Sequence, residues 1–163
     1  FLEHFYDNDA SPESVVAGTA MERGDFVAQP FEAKLRRAPS KVQLQLTRDG
    51  NAWGIPIRLT KALTMEAGSP LLQVAYLLEG LPRDRQLHLA LEWNFAGMPL
   101  ETVSQSEAGF ELVHQSVCVM PHWLVQGDAE GKWSVQMQVR IASGKQPCVL
   151  AEQVMQSMVM ATH

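Results

Sequence analysis

The chain has 163 residues, enough for one domain with a substantial core, and its 46% hydrophobic content is that of a globular protein rather than a disordered one. Its 13 Lys and Arg stand against 18 Asp and Glu, a net charge of −5. That balance excludes the basic face a nucleic-acid binder needs, offers no basic run for an anionic membrane surface, and accompanies no apolar run near the roughly 18 residues of a membrane span.

Taken in chain order, Asp7-Asn8-Asp9-Ala10-Ser11-Pro12-Glu13 is a helix start. Ser11 can cap, Pro12 suits the first helical position and Glu13 favours the positive end of the dipole. Gly18 keeps the helix short, within residues 11–20. Gly24 then permits a tight turn, and Pro30 pushes Gln29 into an extended conformation, so that Phe31 leads into a strand. Alternation of period two follows. Val42, Leu44 and Leu46 occupy every second place, Asp49-Gly50 reads as a hairpin turn, and a strand runs from Trp53 to Met65. Gly68-Ser69-Pro70 marks the next turn, before Leu72, Val74, Tyr76 and Leu78 alternate as far as Gly80-Leu81-Pro82.

The clearest strand is Gln86 to Phe95, with Leu87, Leu89, Leu91, Trp93 and Phe95 on one face and His88, Ala90, Glu92 and Asn94 on the other. Further strands are expected near 99–105, 109–119 and 133–142, and a last one over about 148–160. In that last run Val154, Met155, Met158 and Val159 also fit a helical stripe, and the strand context decides for strand. Short strands joined by Gly, Pro and Asp turns indicate an all-β antiparallel sandwich with one short N-terminal helix.

The chemistry-bearing residues are few. His88, Glu92 and Asn94 project from one face of one strand and make a candidate surface for a sugar. His88 and Glu92 would lie about 13 Å apart along it, able to flank a ligand but not to touch; the same residues also suit a plain solvated face. Trp93 and Trp133 fall on core-facing positions, whereas Trp53 and Trp123 lie near turns and are expected in the core or at a domain interface. Cys118 and Cys148 sit in apolar runs and are expected as buried, reduced thiols. Their spacing suggests neither a disulfide framework nor a zinc site, and Asp7-Asn8-Asp9 lacks the Gly and Glu of a calcium loop. With no nucleophile elbow and no phosphate loop, neither a catalytic residue nor a metal nor a cofactor is assigned.

Several stretches resemble one family in order. His4-Phe5, the acidic short helix, Gly24-Asp25-Phe26-Val27, Pro30-Phe31-Glu32, Leu91-Glu92-Trp93-Asn94-Phe95 and the run Ser104 to Ser116 together are similar to the C-terminal β-domain of glycoside hydrolase family 57 enzymes of the α-amylase/4-α-glucanotransferase type. The resemblance implies a galactose-mutarotase-like β-sandwich in a parent enzyme that cleaves or transfers α-glucans with retention. In that family the catalytic carboxylates belong to an N-terminal barrel, of which these residues contain nothing. It further implies that residues 1–30 are an interdomain linker with the short helix and residues 31–163 the sandwich, that this chain is part of a longer cytoplasmic protein, and that its partners are the catalytic barrel of that protein and an α-glucan. The stretch after Gly97 is shorter than the loop expected there. An autonomous carbohydrate-binding module and an aldose epimerase-like enzyme are the alternative functions.

Overall fold

A computed structural model describes residues 1–106 and 109–140, with side chains described except over 96–117. The order is β1 (Leu2–Tyr6), α1 (Pro12–Val16), β2 (Glu32–Ala38), β3 (Lys41–Ala52), β4 (Ile55–Glu66), β5 (Leu71–Glu79), β6 (Leu87–Ser106), β7 (Gly109–Val119), β8 (His122–Val125) and β9 (Lys132–Arg140). The fold is all-β, two antiparallel sheets with one short helix. One sheet runs β1-β6-β7, with β8 also paired to β6, and the other runs β2-β3-β4-β5-β9.

The core draws on both sheets. Leu87, Leu89, Leu91 and Trp93 of β6 are 1%, 0%, 0% and 6% exposed, so the alternating register holds, and they join Phe5 of β1, Leu59 of β4, and Val74, Tyr76 and Leu78 of β5 in one cluster. Trp123 and Trp133 pack against that cluster, 5.6 Å from each other. The helix forms as its start signal requires. Ser11 Oγ accepts from the Ser14 amide, Ser14 Oγ accepts from the Ser11 amide, and Pro12 opens the first turn.

Three expectations are corrected. Asp49-Gly50 is not a turn: both residues pair within the β3–β4 ladder, opposite Arg58 and Ile57. The hairpin turns four residues later, at Trp53-Gly54, both with positive φ (58° and 77°). Asn51 Oδ1 accepts the Gly54 amide at 2.8 Å, and the guanidinium carbons of Arg23 and Arg85 lie 5.0 and 5.7 Å from the Trp53 ring, which is 38% exposed. Gly50 is a glycine for another reason. A Cβ there would come within 2.6 Å of both Asp25 Oδ1 and Phe26 Cζ, because the segment after β1 folds over β3 at this point. Gly50→Ala is expected to cost about 1–3 kcal/mol through overpacking, measured by urea denaturation; an unchanged midpoint would show that Phe26 can move aside.

The second correction is that the strands expected at 86–95 and 99–105 are one element, β6, whose pairing with β7 shifts register between Ala96 and Glu101. The third is that Cys118 is exposed, near the end of β7 and opposite Asn94 of β6. Cys148 and the run 148–160 lie outside the described residues. Among the described residues no helix is long and apolar enough to cross a membrane.

Candidate functional site

The outer face of β6 carries the sequence-predicted residues, and pairing brings others to them. His88 lies opposite Tyr6 of β1, and Ala90 lies between His4 of β1 and His122 of β8. Same-face neighbours on adjacent strands therefore assemble three histidines and a tyrosine around the polar stripe. Helix α1 lies over one end. The cleft beneath it has a volume of about 210 Å³, with Pro12, Val15 and Val16 on one wall and Tyr6, His88 and His122 on the other.

His88 is 6% exposed and not part of a solvated face. Its Nδ1 is 3.1 Å from the Asp7 carbonyl oxygen, which can only accept, so in its neutral form Nδ1 carries the hydrogen and Nε2 accepts His122 Nδ1–H at 3.1 Å. Glu92 and Asn94 belong to a separate cluster. His4 Nδ1 donates to Glu22 Oε2 at 2.7 Å, its Nε2 donates to Glu92 Oε2 at 3.0 Å, and Asn94 Nδ2 donates to Glu92 Oε1 at 2.6 Å. Tyr6 stands between the clusters, stacked on the His4 ring at 5.1 Å and edge-on to His88 at 6.2 Å.

Electrostatics follow from these contacts. Burial opposes the His4 imidazolium, but hydrogen bonds to Glu22 and then Glu92 outweigh it and hold the His4 pKa above its ordinary value. Burial likewise opposes the charged Glu92, yet the Asn94 and His4 bonds keep its pKa below the usual range. The Tyr6 hydroxyl is pushed up to about 12, by burial first and then by the charges of Glu22 and Glu92. Partial desolvation, followed by the Glu92 charge, raises the Cys118 thiol, so its thiolate is disfavoured.

Chemically, this is a knitted cluster. Both His4 nitrogens are taken by carboxylates, and Glu22 Oε1 accepts the amides of Phe5 and Gly24 at 2.8 and 3.0 Å. Glu22 therefore binds the loop after α1 to β1, and Glu92 holds the same histidine from β6. What faces solvent is the exposed Glu22, the partly exposed edge of Glu92 and the exposed Asn94. Among the described residues no group of three or more His, Cys, Asp or Glu is arranged to hold a metal ion.

Sequence reasoning missed the partners of these residues, because His4, Glu22 and His122 lie far along the chain from β6. It also missed a buried ion pair on the inner side. Lys61 Nζ is 2.7 Å from Glu3 Oε1, and the Tyr76 hydroxyl donates to the same oxygen at 3.0 Å. The available signal was Lys61 itself, set among Ile57, Leu59 and Leu63 on the apolar register of β4.

The class thus defined is an all-β domain of two antiparallel sheets, braced by polar clusters on both sides of β1. Its sequence matches the family described as alpha-amylase/4-alpha-glucanotransferase, C-terminal, over residues 1–99 and 97–137, and the chain belongs to that family. The two matched pieces overlap at 97–99. Among solved structures it is similar to the crystal structure of 4-alpha-glucanotransferase from Thermococcus litoralis, with a TM-score of 0.64 and 20% identity, covering 85% of this chain and 27% of that one. At that identity the likeness concerns the fold. Comparison with curated proteins gave no match.

Proposed function

We propose that this chain is the non-catalytic C-terminal domain of an α-glucan-acting enzyme of glycoside hydrolase family 57, a galactose-mutarotase-like sandwich that supports a catalytic barrel in the same polypeptide. The observation that carries this reading is the family match over residues 1–99 and 97–137. Both carboxylates of the His4 cluster are bonded to the one histidine, which supports the non-catalytic part, since a glycosidase needs two carboxylates free to act on the bond between them. An apolar edge supports the docking part. Leu35, Val42 and Met65 are 52%, 44% and 51% exposed on one face of three neighbouring strands, which suits a surface that a second domain covers. In this reading residues 1–30 lead in from the barrel and residues 31–163 form the domain body. The exposed Cys118 thiol fits a reducing, cytoplasmic setting. Glu92 and Asn94 offer hydrogen bonds to a glucan passing along β6, whereas His88, further along the strand, is buried with both ring nitrogens paired.

The test compares two proteins. The 163-residue chain alone is expected to release no reducing sugar from starch or malto-oligosaccharides above a boiled control. A polypeptide that carries the proposed catalytic barrel together with this chain is expected to cleave or disproportionate maltoheptaose. A longer polypeptide without glucan activity, or activity in the short chain, would overturn the reading.

A further inference from the structure

The outer face of the five-stranded sheet has a composition that the braces on β6 do not explain. Core-facing residues of β3, β4, β5 and β9 are apolar at alternate positions, and the intervening positions face outward. On that outward face the register aligns Gln43 with Thr64, Thr64 with Gln73, and Gln73 with Gln138. Four neutral hydrogen-bonding side chains thus form one rung across four strands. The next rung in register is Gln45, Ala62, Ala75 and Gln136, with two methyl groups at its centre. The alanines leave a hollow of about 550 Å³ walled by the amides, and Lys41 at its rim is the one charged residue lining it among the described residues.

We infer that this hollow is a binding site for a neutral saccharide. Uncharged amides both donate and accept, which suits hydroxyl groups that do the same, and they avoid the desolvation cost of a buried charge. Adjacent strands set the rung's groups about 4.8 Å apart, so a rung can bond hydroxyls on opposite edges of one pyranose ring. The Ala62 and Ala75 methyl groups give the C–H face of that ring an apolar floor. The walls are partly preorganised: Gln43 Nε2 donates weakly to Thr64 Oγ1 at 3.4 Å, and the strands fix the spacing without ordering a loop. The contrast lies on the same face further along, where Asp49 and Arg58 pair at 2.7 Å and Glu79 and Lys132 at 3.5 Å. There charges neutralise each other; at the hollow there are amides instead.

The inference rests on the proposed function only for the choice of an α-glucan as first probe. The experiment titrates maltoheptaose, with cellohexaose in parallel, into the isotopically labelled 163-residue chain and follows amide and Gln side-chain resonances. Saturable shifts in the millimolar range are expected at Gln43, Gln73, Gln136, Gln138 and the Ala62 and Ala75 amides with at least one of the two sugars. Ala75→Arg, which fills the hollow, is expected to weaken binding at least tenfold. The exposed double variant Gln73→Glu/Gln138→Glu, which leaves the core untouched, is expected to do the same, and serves if Ala75→Arg fails to fold. Shifts confined to Glu92 and Asn94, no shifts at tens of millimolar of either sugar, or full binding by a folded variant would overturn the inference. So would a change of sedimentation in the variants without any sugar effect, which would make the face a contact between copies. Absent binding together with glucan activity in the longer polypeptide would remove this site and leave the domain assignment standing.

Discussion

Lys61→Met, with Glu3 left in place, is expected to destabilise the fold by about 3–5 kcal/mol. The Glu3 and Lys61 side chains are 1% and 5% exposed, and Lys61 Nζ also donates to the Phe1 carbonyl at 3.1 Å and lies 4.4 Å from the centre of the Phe31 ring. Removing the ammonium leaves a carboxylate in the core with the Tyr76 hydroxyl as its remaining side-chain donor among the described residues. That hydroxyl is held protonated, its pKa raised by burial first and by Glu3 next, so it can donate but cannot neutralise. Tyr76→Phe alone is expected to cost about 1–2 kcal/mol. The double change Glu3→Leu/Lys61→Met should recover most of the single variant's loss, because a well-packed apolar pair avoids the desolvation of both ions. Urea denaturation followed by Trp fluorescence checks all three. A Lys61→Met variant within 1 kcal/mol of the parent would mean that water reaches the pair. The position of the pair gives it weight: Glu3 comes from the sheet of β1, and Lys61 and Tyr76 from the other sheet, so this contact joins the two sheets through β1.

The same contact shows what the sequence discloses and what it withholds. Alternation along Leu87 to Trp93 predicts burial correctly, because in a strand the side-chain period is fixed by covalent geometry alone. Ser11-Pro12 predicts the helix start because capping is a local exchange of hydrogen bonds. Asp49-Gly50 misleads for the opposite reason. The pair carries turn chemistry, but Gly50 serves a close approach by Phe26, twenty-four positions earlier, and such an approach has no local signature. His88 was legible as an outward residue, yet not as a buried one, since its cover is α1 and its partner is His122. Lys61 shows half a signal: a cation on an apolar register announces that a partner exists, while Glu3 is found only when β1 takes its place beside β6. The rung of Gln43, Thr64, Gln73 and Gln138 is the strongest instance. Each strand shows alternate Gln or Thr, but their alignment depends on three registers, two set by separate turns and the third by the non-local pairing of β5 with β9.

His4→Gln is expected to cost about 2 kcal/mol near pH 5.5, by loss of two charge-assisted hydrogen bonds, and clearly less near pH 9. The His4 pKa is raised in the folded state above 6.5. Its stabilisation is therefore complete below pH 6.5 and is lost as pH rises through the folded-state value. Glu92 behaves oppositely. Its pKa is lowered below 4.5, so its contribution is complete above pH 4.5 and is lost as pH falls through its folded-state value. The His4–Glu92 pair thus stabilises most between about pH 4.5 and 6.5, where His4 is a cation and Glu92 an anion. Thermal unfolding of parent and variant across pH 4–9 checks this. The difference in Tm should peak in that window and narrow on the alkaline side, and a difference independent of pH would mean that His4 acts through packing on Tyr6 rather than through its charge. Glu92→Gln is expected to shift the His4 titration downward, since it removes one of the two carboxylates that hold the proton in place, and a His4 resonance that titrates unchanged in that variant would assign the proton to Glu22 alone. The two outcomes separate a charge that binds the loop after α1 to the sheet from an aromatic ring that merely fills space beside Tyr6.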